Sequence, residues 1–144
     1  MANPTLLKFG YPQTLINEYE YWCVLLRPQQ PTLGSLVLVC KEDETEFSQI
    51  SEHAFTELKT VTKGIEGSLS SFRPYQKINY LMLMMVDPNV HFHVLPRYQE
   101  TQKFGETEFP DKGWPAAPDL STSIDLSNGL MRPLLSELTK AWSL

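Results

Sequence analysis

A chain of 144 residues that is 42% hydrophobic and 20% charged suits one globular domain, long enough to bury about two-thirds of its unfolded surface. Its formal net charge of −5 argues against a surface that coats nucleic acid, which needs a basic excess, but leaves room for a local pocket taking one small anion. With no apolar run near the ~20 residues of a spanning helix and no charged-then-apolar leader, the expectation is a cytoplasmic protein without membrane partners.

In chain order, YEYWCVLLRP (19–28) is rich in aromatic and β-favouring residues and reads as a strand stopped by proline. QQPTLG (29–34) is a turn-prone connector, and SLVLVCK (35–41) a second strand, so the two form an antiparallel hairpin. Cys23 and Cys40 sit inside these runs and read as small core hydrophobes rather than a disulfide; a zinc site would want spacing such as C-x-x-C. KEDETE (41–46) is a solvated loop. Between 50 and 70, Ile50, Ala54, Phe55, Leu58, Val61, Ile65 and Leu69 recur every three or four residues and predict a helix with one buried face. Ser48 or Ser51 could cap it, Gly67 weakens its last turn, and His53 lies off the apolar stripe, on the surface.

FRPYQ (72–76) is a turn before KINYLMLMMV (77–86), which is apolar almost throughout and predicts either a central strand or one covered by a partner chain. Met82, Met84 and Met85 suit an irregular core and a subunit interface equally. Asp87-Pro88 ends that run, and NVHFHVL (89–95) resumes a strand that stops at Pro96. Residues 99–126 read as a long ordered arm, packed down by Phe109, Trp114 and Leu120. A final helix over 129–142 places Leu130, Leu134, Leu135, Leu138 and Trp142 on one face, capped by Ser127 or Asn128 and with Pro133 in its first turn. The order strand, strand, helix, strand, strand, helix is an α+β pattern over a single domain, 1–144, with a mainly antiparallel sheet.

The chemistry concentrates in NVHFHVLPRY (89–98), which carries two of the chain's three histidines. Strand alternation turns Asn89, His91 and His93 to one face and Val90, Phe92 and Val94 to the other. Same-face neighbours lie ~6–7 Å apart, so two imidazoles can converge on one phosphate or one metal ion. Three readings stand on spacing alone: histidines with no task, a metal pair, or a nucleophile with a proton partner. A metal would need a third ligand, and Asp87 is the only nearby carboxylate.

The wider string resembles the histidine triad (HIT) superfamily, whose signature is H-φ-H-φ-H-φ-φ with φ apolar. Here it reads N-V-H-F-H-V-L, and the VLPR continuation is most similar to the fragile-histidine-triad and diadenosine-polyphosphate hydrolase branch. The likeness includes the hairpin RPQQPTLGSLVLV (27–39) and covers a core of about 19–98; the C-terminal part, 99–144, matches more loosely. It implies a five-stranded, mainly antiparallel sheet with a long central helix and a C-terminal helix.

It also implies a nucleotidyl hydrolase or transferase acting at the α-phosphate of a dinucleoside polyphosphate or a nucleoside phosphoramidate. His91 would be the nucleophile, forming a nucleotidyl-histidine intermediate, and His93 would bind phosphate oxygens and assist the leaving group. The alternative is a catalytically weakened nucleotide-binding protein. The family is usually homodimeric with joined sheets and needs no metal for the chemistry itself, although some substrates are used as divalent-cation complexes. Arg27 follows the first strand where the family touches ribose, and Asn79 is the other polar residue expected near the nucleotide; Arg97 reads as a surface or arm-docking residue.

Three departures accompany the likeness. Asn89 stands at the first triad position, and Ser35 stands where the family hairpin carries a histidine. The two are expected to act as a repaired supporting pair close together beneath the nucleophile. The Gly-Gln segment that usually precedes the triad is replaced by MMVDP (84–88).

Overall fold

The computed structural model describes residues 2–142. A short helix, α1 (Pro4–Lys8), opens the chain, with the Asn3 side chain accepting from the Leu6 N–H at its cap and proline in its first turn. Strands β1 (Leu15–Glu18), β2 (Trp22–Leu26), β3 (Gln29–Gln30) and β4 (Leu36–Cys40) follow, then the long helix α2 (Glu52–Phe72). Beyond it lie β5 (Lys77–Leu81), β6 (His91–Arg97), the small hairpin β7 (Gln102–Phe104) and β8 (Thr107–Phe109), β9 (Ile124–Asp125) and the helix α3 (Met131–Trp142). Five strands form one antiparallel sheet in the order β1-β2-β4-β6-β5. The α+β class, the five-stranded sheet and both main helices are as expected.

The runs WCVLL and LVLVC lack alternation because both faces of β2 and β4 are covered. Trp22, Val24, Leu26, Leu36, Leu38 and Cys40 face α2 and α3, packing with Ala54, Val61, Ile65, Leu69, Leu134 and Leu138. Cys23, Leu25, Val37 and Val39 face the other way, under Leu6, Phe9 and Tyr11 of the N-terminal segment. Cys23 and Cys40 are both free and belong to opposite faces of the sheet. At the start of α2 it is Ser51 that caps, accepting from the Ala54 N–H at 3.1 Å, and the Trp22 indole locks the helix to β2 by donating to the Ala54 carbonyl at 2.8 Å. Gly67 does not end the helix, which runs on to Phe72.

Three expectations need correction. The apolar run 77–86 is not a central strand: β5 ends at Leu81 and lies at the sheet edge. Met84 then adopts φ 49, the left-handed region that no ladder accommodates, and Met85 and Val86 are 87% and 81% exposed. Pro96 does not stop β6, which continues to Arg97. Its pairing with β4 ends at Leu36↔Val94, so the missing proline N–H falls past the end of that ladder, while β5 still pairs as far as Lys77↔Arg97. The third concerns the arm, where Phe109 is buried and Trp114 half-buried but Leu120 is exposed. Its main anchor is polar: Arg97 and Asp111 form a two-pronged ion pair at 2.7 and 2.9 Å. Arg97 therefore docks the arm and is buried rather than superficial.

Candidate functional site

β6 turns His91 and His93 to the sheet face opposite α2, with ring centroids 5.2 Å apart and ring planes 80° to one another. Both are buried, 2% and 8% exposed. Their cover is α1 and the residue after it: the Phe9 ring lies 5.9 Å from His91 and 5.7 Å from His93. A cavity of about 190 Å³ opens beside them, lined by Lys8, Phe9, Arg27, Pro28 and Gln29.

The partners of the two rings set their proton positions. His91 Nδ1 lies 2.7 Å from the Asn89 carbonyl oxygen, which only accepts, so the neutral ring carries its proton on Nδ1 and its lone pair on Nε2. His93 Nδ1 lies 3.3 Å from Arg27 Nε, which only donates, so the neutral ring accepts at Nδ1 and carries its proton on Nε2. The two outward nitrogens are thus complementary, one a nucleophilic lone pair and the other a donor. Burial, then the Arg27 charge and then His91, push His93 down to about 4, against a smaller opposing pull from Asp87.

That depression has a measurable sign. Between pH 6.5 and about 4 the unfolded chain binds a proton at His93 that the folded chain does not, so stability is full above the upper limit and falls as the pH drops. The loss expected by pH 4 is on the order of 3 kcal/mol. Urea unfolding of wild type and His93→Gln at pH 7 and pH 4.5 measures it. The wild type should lose more stability than the variant, and an equal loss in both would refute the assignment.

Asn89 belongs to the site through its backbone. Its side chain ties down the cover: Oδ1 accepts from the Thr5 N–H at 3.2 Å and the Thr5 hydroxyl at 3.0 Å, and Nδ2 donates to Asp43 at 2.7 Å. Ser35 is elsewhere. It adjoins the Leu36↔Val94 end of the β4–β6 ladder, whereas Asn89 adjoins the other end, where the Cys40 N–H donates to the Val90 carbonyl. The antiparallel run of β4 against β6 separates them, so they do not form the close pair expected.

The Ser35 hydroxyl instead donates to the Thr32 carbonyl at 2.7 Å, within a hairpin held by the buried Gln30, whose amide donates to the Arg27 carbonyl at 2.6 Å and the Ser35 carbonyl at 2.8 Å. That hairpin is what positions Arg27. Asn79 lies one same-face step along β5 from Leu81, the partner of His93, and its amide oxygen accepts from Arg97 Nη1 at 2.8 Å. His53 is exposed and stacks on Tyr21.

Sequence reasoning missed Thr5, Lys8 and Phe9. The Asn3-Pro4 pair, a cap followed by proline, was the available signal for α1. Among the described residues no three His, Cys, Asp or Glu side chains are grouped to hold a metal ion, and no helix is long and apolar enough to cross a membrane.

No family model matches the sequence, and no curated protein does. Solved structures do match in shape. A histidine triad protein from Sinorhizobium meliloti superposes with a TM-score of 0.73 at 18% identity, over 94% of this chain and 92% of that one. A hypothetical histidine triad nucleotide-binding protein from Sulfolobus tokodaii gives 0.70 at 14% identity, over 96% and 89%. The diadenosine triphosphate hydrolase of Plasmodium falciparum gives 0.63 at 8% identity, over 92% and 76%.

Proposed function

We propose that this chain, which has the histidine-triad fold, is a nucleotidyl hydrolase or transferase that cleaves at the α-phosphate of a dinucleoside polyphosphate or a nucleoside phosphoramidate. The observation that carries this reading is the pair of ring contacts, His91 Nδ1 on the Asn89 carbonyl and His93 Nδ1 on Arg27 Nε, which assign opposed protons to the two outward nitrogens. The Nε2 lone pair of His91 forms the bond to the α-phosphorus as the bond to the leaving oxygen or nitrogen breaks. The Nε2–H of His93 donates a hydrogen bond to a phosphate oxygen and steadies the charge that builds there, while a phosphate leaving group departs as its anion and an amine takes its proton from solvent. Water then attacks the same phosphorus, one of its protons passes to solvent, the phosphorus–nitrogen bond breaks, and nucleoside monophosphate leaves with His91 restored.

Arg27 and Asn79 stand on the same side as candidates to meet the nucleotide, while Ser35 and Asn89 support the hairpin and the cover. The chemistry as written uses no cofactor, and a divalent cation would arrive only with the substrate's phosphates. The resemblance to the fragile-histidine-triad branch and the likeness to the Plasmodium falciparum hydrolase favour the dinucleotide class. A homodimer joined at the β5 edge, in the cytoplasm, completes the reading, because that edge is followed by the exposed Leu83, Met85 and Val86.

A second reading has its own observation. Burial of both histidines under Phe9, together with a preceding loop that has neither glycine nor glutamine, favours a nucleotide-binding protein with weakened catalysis. Incubation with diadenosine tetraphosphate and with an adenosine phosphoramidate separates the two. Release of AMP supports the enzyme, whereas AMP binding without turnover of either compound supports the binding protein.

A further inference from the structure

We propose that Arg27 is a positioning residue for His93, whose Nε–H, donated to the ring's Nδ1, fixes the imidazole orientation and keeps its proton on Nε2. This deepens the nucleotidyl reading and rests on it only for the kinetic consequence. The contact is 3.3 Å, and it joins residues 66 apart in sequence, so it depends on the hairpin being held. The hairpin is held at several points. The Arg27 N–H donates to the Ser35 carbonyl at 3.1 Å, its own carbonyl accepts from Gln30, and its Nη1 donates to the Gln29 carbonyl.

A guanidinium suits the task for three reasons. It has no acceptor, so it can never face Nδ1 the wrong way round. It stays charged at every working pH, so its effect does not titrate. Its planar fork lets Nε address the ring while Nη1 stays on the backbone. Without it the two neutral forms of the ring would compete, and the other form would turn a second lone pair, not a donor, toward any phosphate between the histidines.

The charged and titratable groups around His93 are few. Arg27 comes from the end of β2, His91 from its own strand, and Asp87 from the preceding loop, the last ion-paired at 2.9 Å to Lys8 of α1. Of these only Arg27 makes a hydrogen bond to the His93 ring.

Long-range proton–nitrogen correlation spectra of the histidine side chains test the assignment in wild type, Arg27→Met and Arg27→Lys. In wild type, His93 should show an unprotonated Nδ1 and a protonated Nε2, with titration near pH 4. Arg27→Met should give averaged nitrogen shifts and a titration midpoint moved toward the ordinary histidine range. Arg27→Lys, which keeps the charge without the planar donor, should recover part of the midpoint but not the single tautomer. Unchanged backbone amide correlations for β2, β4 and α2 certify that each variant is folded. If His93 keeps its tautomer and midpoint in both variants, the proposal is overturned, whether or not the protein turns over any nucleotide. Where turnover is present, kcat should fall by roughly tenfold or more in Arg27→Met, since losing one oriented hydrogen-bond donor to developing charge costs ~10²–10³-fold, with KM changed far less.

Discussion

Replacing His91 by alanine is expected, on the proposed nucleotidyl chemistry, to lower AMP release from diadenosine tetraphosphate by roughly three orders of magnitude or more, because loss of a covalent nucleophile would leave only binding and charge stabilisation. Among the described residues, the neighbouring side chains are unsuited to take over. His93 offers a proton at Nε2, not a lone pair. Cys23 on the same face is held as a thiol, its pKa pushed up to about 12 mainly by burial. His53 lies on α2, against Tyr21. AMP affinity should change far less than turnover, since in the proposed chemistry His91 would meet one phosphate among the many groups of a nucleotide. The decisive comparison is steady-state turnover with AMP binding and thermal unfolding of both proteins. If wild type and variant bind AMP and are equally slow, His91 is no nucleophile and the chain is a binding protein.

Asp111→Ala should destabilise the fold by about 3–5 kcal/mol, the ordinary cost of stranding one member of a buried ion pair. The side chains are 4% and 2% exposed, so water cannot replace the lost carboxylate. Asp111 also accepts the Tyr98 N–H at 3.1 Å, and Arg97 holds Asn79 at 2.8 Å, so the one carboxylate couples the arm to β5 and β6. A loss of this size is a large share of the ~5–15 kcal/mol that keeps a domain folded. Replacing Arg97 and Asp111 together by apolar residues should cost less than Asp111→Ala alone, because no charge is then buried unpaired. Urea unfolding with both proteins decides it, and a loss below about 1 kcal/mol for Asp111→Ala would mean that solvent reaches the guanidinium.

What could be read in the sequence divides along physical lines. The β2–β4 hairpin and α2 announce themselves because burial imposes a local pattern, continuous apolar runs for a sheet covered twice and a three-to-four spacing for a helix covered once. The histidine face follows from alternation alone. α1 escaped because five residues are too few to show a period, although they decide what lies over that face. Arg97 read ambiguously because its partner, 14 residues on, sits in a loop with no pattern of its own. Family likeness pairs Ser35 with Asn89, and only the direction of β4 against β6 reveals that they lie at opposite ends of the ladder. Family likeness puts Arg27 near a nucleotide; that its Nε addresses a histidine ring depends on how Gln30 folds the connector.

The cover over the histidines bears on how affinity should be interpreted. With His91 2% exposed beneath Phe9, and Thr5 fastened to Asn89, any ligand whose approach to the imidazole requires the first turn of the chain to lift meets a conformational cost before it binds. Apparent binding is then intrinsic binding multiplied by the fraction of molecules open at any moment, so an open fraction of about one in a hundred weakens every ligand about a hundredfold. The penalty is blind to chemistry. Such a cost would weaken every ligand of that kind alike, and leave the ranking of one against another unchanged.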